Sequence, residues 1–523
     1  MIGTARILPS VVIAAIIAAT ASLYLTALGQ APANISTDEA RFAVQAHAIA
    51  STGHDLQGHR LPLFFLITDP LIANHDSVAW WQPTLFYMMA TVFRVAPLAE
   101  WSARLPIAVM AVLNVWLAYA LARRVFANRW YGIAAAMVLA LTPAHFIMGR
   151  MATDYFLPIS FALAWLLCLV RCRGTESAGA AIATGLVLGL GLYSYITSWL
   201  VMPLYLLMTY AVLWDWGKSP RFLAAVTLGF ALPLLPMAAW LAWNPSMPAE
   251  VFANYKVSSN LRLTERVSLY WNYFNPSYLF FSGGSNLVWA TRQAGVFPLA
   301  VAVLLPCGVW SILRNQGSTV SRLWLAGYLL APLPIVAALP EAPQYATARH
   351  LLAVPFGVLI SIAGLEWLVT RGGRPGRTAA ALLLLSVPLQ FAGFASDYFT
   401  DYRLRSSYWS DSMNMRGVVA AASALDAEHG APVIYLNADE IGEDRVVKWL
   451  FYLRAAGRDD LWNRTQYFSA GRTENSAIAS GSLLVVRVNS PVVDGFSASG
   501  EWSVAADVTD MAGTPTATIL RHR

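Results

Sequence analysis

Charge is the scarcest commodity in this chain. Of 523 residues only 12% are Asp, Glu, Lys or Arg, while 57% are hydrophobic; a soluble domain carries about 25% charged residues. That shortage excludes a soluble protein of this size. Apolar stretches near the ~20 residues needed for a span recur along the chain, which predicts a polytopic membrane protein. Cysteine is also rare. Cys168, Cys172 and Cys307 all lie in apolar segments, so free buried thiols are expected and a disulfide framework is excluded. Internal repeats and low-complexity tracts are absent. The net charge of +6 does not imply a nucleic-acid partner, because Lys and Arg fall mainly in short segments between apolar runs, where they report topology.

Those cations set the threading. With the N-terminus in the cytoplasm, a first span over about 7–29 leads to a long outer loop, about 30–102. The first apolar run is too long for a signal-peptide core, so an uncleaved anchor is expected. Later spans end at Arg123-Arg124, at Arg171 and Arg173, near Lys218 and Arg221, at Arg314, and before Arg371, Arg374 and Arg377. Every predicted inner loop is then short and basic, giving about eleven spans. This requires residues 83–97, which are short and contain Arg94, to lie along the interface as a juxtamembrane helix. After residue 396 the composition turns polar. The runs Val433–Leu436 and Leu483–Val486 read as strands around a helical segment, Val446–Leu453. The expected fold is therefore mostly α: a membrane bundle over 1–396, followed by a small extracytoplasmic α/β domain over 397–523.

Within this apolar background the acidic side chains stand out. Asp38 and Glu39 follow the first span in Ser36-Thr37-Asp38-Glu39. A carboxylate pair held at a membrane surface is a candidate functional site. Ser36-x-x-Glu39 also fits a helix capping box, with apolar residues at helical spacing behind it and Gly53 as a stop. Negative charge at a helix N-terminus is favourable by itself, so simple capping accounts for the pair equally well on the motif alone. Asp154 lies in a turn between two later spans on the same predicted face, and there too a plain helix cap is the competing reading. Arg349-His350, preceded by Tyr345, and Arg292 supply cations on that face. A guanidinium binds phosphate through paired hydrogen bonds, but interfacial snorkelling of each arginine fits as well. Of His47, His54, His59 and His75, the pair His54 and His59 has poor metal spacing. An oxygen-rich site for a divalent metal beside Asp38 and Asp154 is left open.

Several segments together resemble the GT-C superfamily of membrane glycosyltransferases, in the branch of protein mannosyltransferases and lipid A aminoarabinose transferases. They are Asp38-Glu39; Trp81-Gln82-Pro83-Thr84-Leu85-Phe86-Tyr87; Ala103-Arg104-Leu105-Pro106; Asp154; Tyr270 through Gly284; and Ala348-Arg349-His350-Leu351 through Pro355. Their order covers most of 1–396. The chain departs from the family at Gln82, where relatives often carry His or Lys, and at Thr84, where a second proline is usual. The resemblance implies an inverting transferase in the inner membrane that moves a sugar from a polyprenyl-phosphate carrier to an envelope lipid, glycan or protein. It implies Asp38 as base or its close partner, with Glu39 beside it and Asp154 as the second acidic site. Gln82, Tyr87, Arg292, Tyr345, Arg349 and His350 become candidates for donor phosphate or sugar. The chemistry needs little more, because a phosphate leaving group requires positive charge rather than a general acid, and the acceptor hydroxyl requires a base. No cofactor is implied. Competing readings are a lipid-linked oligosaccharide ligase or polymerase, which would lean on a late loop rich in Arg and His, and a transporter. A transporter would place its ionisable groups at mid-membrane, often in two repeated halves.

Overall fold

The computed structural model of the chain describes residues 4–67, 79–254, 262–314, 318–338, 346–438, 440–468, 478–491, 493 and 500–523. The first helix, α1 (Thr4–Leu25), leads through a turn-rich segment to α2 (Thr37–Thr52). A two-stranded antiparallel ribbon, β1 (Phe65–Ile67) with β2 (Ala79–Trp81), and the short α3 (Thr84–Phe93) complete this first loop region. At ten residues α3 is about 15 Å long, half the thickness of a bilayer core, and it packs along α2 and the following helix.

The bundle proper runs through α4 (Glu100–Val125), α5 (Trp130–Ala140), α6 (Pro143–Met148), α7 (Leu157–Cys172), α8 (Ala178–Gly191), α9 (Ser198–Asp215), α10 (Pro220–Ala231) and α11 (Leu234–Trp243). After α12 (Met247–Asn254) and α13 (Leu263–Asn272) come α14 (Leu299–Arg314), α15 (Thr319–Leu330), α16 (Leu333–Ala338), α17 (Ala353–Arg371) and α18 (Gly373–Phe399). Among the described residues six helices are long and apolar enough to cross a membrane, or seven if the pair α10 and α11, bent by 42°, counts as one span. The chain is thus a multi-pass membrane protein. The threading expected about eleven spans, and its remaining apolar segments coincide with the shorter helices Ser10–Leu25, Trp130–Ala140, Ala178–Gly191 and Leu299–Arg314.

Proline accounts for the breaks. Thr142 is driven to an extended conformation (φ −78°, ψ 119°) by the proline that follows, which separates α5 from α6. Pro233 lacks the N–H that would continue α10 into α11. Small residues govern the crossing of α14 and α17. A Cβ on Gly308 of α14 would lie 1.9 Å from the Ile360 carbonyl oxygen, and one on Gly364 of α17 would lie 2.0 Å from that of Leu304. Only glycine permits that backbone approach, which sets α17, and the turn just before it, against the bundle.

Beyond α18, which runs three residues past the expected boundary, come α19 (Asp401–Ser410), α20 (Met415–His429), α21 (Glu443–Ala455) and α22 (Asp459–Asn463). They pack with a five-stranded mixed sheet of order β4-β3-β5-β7-β6. Its strands are β3 (Ile434–Asn437), β4 (Thr465–Phe468), β5 (Leu483–Arg487), β6 (Trp502–Thr509) and β7 (Pro515–His522). The central β3 and β5 are parallel neighbours and buried, hence their unbroken apolar runs. This C-terminal α/β unit docks on the first loop. The Tyr452 hydroxyl donates to Glu100 at 2.5 Å, Arg416 pairs with Glu100, and the Asn34 amide donates to the Ser407 carbonyl at 3.3 Å.

Candidate active site

The site is built from the α1–α2 connection outward. Two buried arginines hold that connection in place. Arg150 donates to the carbonyls of Leu23, Tyr24, Thr26 and Ala31 at 2.7–3.0 Å, and Arg104 to those of Leu28, Pro32 and Asn34 at 2.9–3.0 Å. Backbone oxygens that would otherwise be orphaned in an apolar setting are satisfied by guanidinium forks. The connection then ends at Ser36. The capping box read from the sequence forms as expected: the Ser36 side chain accepts from Glu39 N, and the Glu39 carboxylate accepts from Ser36 N at 2.8 Å. Gly53 (φ 74°) terminates α2 in the left-handed conformation that glycine tolerates.

Asp38 and Glu39, adjacent in sequence, have opposite environments. Glu39 is fully buried. Its Oε1 lies 2.8 Å from Arg104 Nε and accepts Ala152 N at 2.9 Å, and its Oε2 lies 3.2 Å from a second Arg104 nitrogen. Burial disfavours its charge, but Arg104 and the backbone donors of Ser36 and Ala152 outweigh that and hold the carboxyl below the usual range. Through Ala152 the same carboxylate fixes the loop that carries Asp154. Glu39 is therefore saturated by protein partners. Asp38 remains partly open: Tyr155 Oη donates to its Oδ2 at 2.9 Å, and Arg41 stands 3.6 Å from its Oδ1.

Asp154 opens the 3₁₀ turn Asp154–Phe156 that precedes α7, and is 3% exposed. That turn packs against the 3₁₀ turn Thr347–Arg349 that precedes α17. Asp154 consequently lies within electrostatic reach of both Asp38 and Arg349, and Tyr155 within reach of all three. The Tyr155 ring meets Tyr195 edge-on at 5.0 Å and Trp289 at 6.1 Å, forming an aromatic wall. Two carboxylates, a guanidinium and a tyrosine from three distant stretches thus share one locality.

Other candidates sit elsewhere. His350 is buried between Tyr273 and Tyr278, its Nδ1 3.3 Å from the Tyr278 hydroxyl. Burial lowers its pKa to about 3, so it is neutral and supplies no cation to a phosphate. Arg292 takes a left-handed backbone (φ 61°), donates to the Ser285 carbonyl at 2.6 Å and lies over the Trp409 ring; among the described residues no hydrogen bond or ion pair joins it to Asp38 or Asp154. Tyr87 donates to the Pro62 carbonyl at 2.6 Å and packs on Phe65, which ties it to the first-loop ribbon. Gln82 is 2% exposed, and its amide nitrogen has no partner among the described residues. Tyr345 and His75 lie outside the described residues. Among the described residues no group of three or more His, Cys, Asp or Glu side chains is placed to hold a metal ion. Tyr155 and the Arg104–Glu39 pair escaped the sequence reading. The available signal for the pair was an arginine, Arg104, at the start of a helix whose centre is apolar.

Residues 81–243 match the family model described as dolichyl-phosphate-mannose-protein mannosyltransferase. Crystal structures of ArnT from Cupriavidus metallidurans, in the apo state and bound to undecaprenyl phosphate, superpose with TM-score 0.57 at 14% identity over 97% of both chains. An oligosaccharyltransferase from Archaeoglobus fulgidus matches with TM-score 0.46 at 13% identity over 84% of this chain and 63% of that one. A search of curated protein sequences finds no match. The family match and the fold together support a glycosyltransferase of the GT-C superfamily.

Proposed function

We propose that the chain is an inverting transferase that moves a sugar from a polyprenyl-phosphate carrier to an envelope acceptor (a lipid, a glycan or a protein) at the extracytoplasmic face of the inner membrane. The observation that carries this reading is the convergence of Asp38, Asp154 and Arg349 at one locality, when they lie on three separate segments. ArnT, whose fold this chain shares, has been crystallised with undecaprenyl phosphate, which favours the same class of donor.

In the mechanism Asp38 is the base. It retains solvent access, and a carboxylate there takes the acceptor hydroxyl proton as the oxygen attacks the anomeric carbon. Tyr155, donating to the same carboxylate, orients it. Arg349 faces the phosphate and stabilises the charge that grows on it as the glycosidic bond breaks. Asp154, buried at the head of α7, sets the position of Arg349 and orients the donor sugar. Glu39 is a positioning residue: with Arg104 and the Ala152 amide it fixes α2 and the Asp154 loop in mutual register. A proposed division follows, with residues 1–396 performing transfer and 397–523 shaping the approach of the acceptor.

The test is Arg349→Ala. Losing one charge-assisted contact to phosphate, about 1.5–3 kcal/mol, should raise the apparent donor KM roughly ten- to a hundred-fold. Titrating a polyprenyl-phosphate sugar against purified protein in nanodiscs reads this directly. Donor kinetics unchanged from wild type would remove Arg349 from the phosphate.

A further inference from the structure

A second polar hollow lies beside the site and is not used by the mechanism above. It is about 360 Å³, at the small end of the ~300–1,000 Å³ typical of ligand pockets. One side is Thr37, the residue before Asp38; the other is the C-terminal unit, through Trp409, Ser412, Arg445, Lys448 and Arg487. Three cations line it and, among the described residues, no carboxylate does. Their charge is poorly compensated. Lys448, 5% exposed, donates to the Ser410 carbonyl at 2.5 Å and has its nearest carboxylate, Asp411, at 3.9 Å. Arg445 spends its guanidinium on the Glu440 carbonyl (2.9 Å) and the Ser412 hydroxyl (3.2 Å), neither of them charged. The Arg487 side chain makes no hydrogen bond or ion pair among the described residues; Glu440 binds only its backbone N–H. A concave site with three like charges and one idle guanidinium fork raises the local concentration of anions and matches phosphate geometry.

We propose that this hollow seats a phosphate-bearing group of the acceptor, one residue from the base. The inference rests on the transferase reading and extends it: the preferred acceptor carries a phosphate near the hydroxyl that receives the sugar. The C-terminal unit then contributes substrate selection, since all three cations belong to it.

Inorganic pyrophosphate serves as the probe, with the full-length protein in phosphatidylcholine nanodiscs. Wild-type protein should bind it. Arg487→Gln should weaken binding about tenfold, the scale of one charge-assisted hydrogen bond, and Arg445→Gln with Arg487→Gln should weaken it further. Because the Arg487 side chain holds no hydrogen-bond or ion-pair partner among the described residues, its single variant keeps the test valid if the double variant fails to fold. Undecaprenyl phosphate binding should be unchanged in both. Equal pyrophosphate affinity in wild type and Arg487→Gln overturns the proposal, as does loss of pyrophosphate binding in Arg349→Ala alone, which would place the anion at the donor site. Absence of undecaprenyl phosphate binding, with the Arg487 effect intact, would instead overturn the transferase reading. Repeating the titration in phosphatidylglycerol nanodiscs separates the sources. A weaker apparent affinity identifies a lipid headgroup as the phosphate bearer, and an unchanged one identifies a soluble phosphate; both support the seat.

Discussion

Asp38→Asn should reduce sugar transfer by about 10²–10⁴-fold, the contribution of a general base, while the protein inserts and unfolds as the wild type does. The expectation follows from geometry. Asparagine has nearly the same shape, can still accept from Tyr155, and leaves no fully buried charge unpaired, because Arg41, 3.6 Å away, is itself partly exposed. What it loses is the capacity to take a proton. Transfer rates from a polyprenyl-phosphate sugar, measured beside a thermal unfolding curve, separate the two properties. Full activity in this variant would remove Asp38 from the chemistry.

Its neighbour should behave in the opposite way. Glu39→Gln leaves buried Arg104 with only the more distant Glu100 carboxylate, 3.9 Å away, and breaking a buried pair from one side costs up to about 3–5 kcal/mol. The α1–α2 connection, whose carbonyls Arg104 gathers, and the Asp154 loop, held through Ala152, should loosen together. The pH dependence has a definite sign. A carboxyl held below its ordinary range contributes stability that is fully present above its unfolded pKa of about 4.3 and is lost as pH falls through the folded value. Wild-type stability should therefore decline below about pH 4, and the Glu39→Gln variant should lack that component. The check is an unfolding midpoint in detergent at neutral and acid pH. An unshifted midpoint with lost transfer would move Glu39 from positioning into the reaction itself.

These two residues show where sequence reasoning reaches its end. The capping box at Ser36 and Glu39 and the stop at Gly53 are local, and local hydrogen-bond geometry is legible from spacing. The apolar segments, β3, β5 and α21 were legible for the same reason: each declares itself within a few turns or residues. The division of labour between Asp38 and Glu39 was not, because it depends on Arg104, 65 positions away from Glu39, and on which side of α2 the bundle covers. Likewise Arg349 and His350 read alike as a basic pair at the head of a late helix. Packing between Tyr273 and Tyr278 strips His350 of its charge and leaves Arg349 as the cation within reach of Asp154. The hairpin of β6 and β7 and the helix α20 lacked a clean alternating or apolar signature, and tertiary packing decided them.

In the proposed transferase Asp38, Asp154 and Arg349 face one hollow that receives the phosphate of an isoprenoid donor. Electron cryomicroscopy of the protein in nanodiscs with undecaprenyl phosphate tests it directly. The predicted map shows phosphate density within hydrogen-bonding distance of the Arg349 guanidinium, with the Asp38 carboxylate opening onto the same space. Phosphate density held by other residues, with Asp38 and Arg349 opening onto separate cavities, would contradict it.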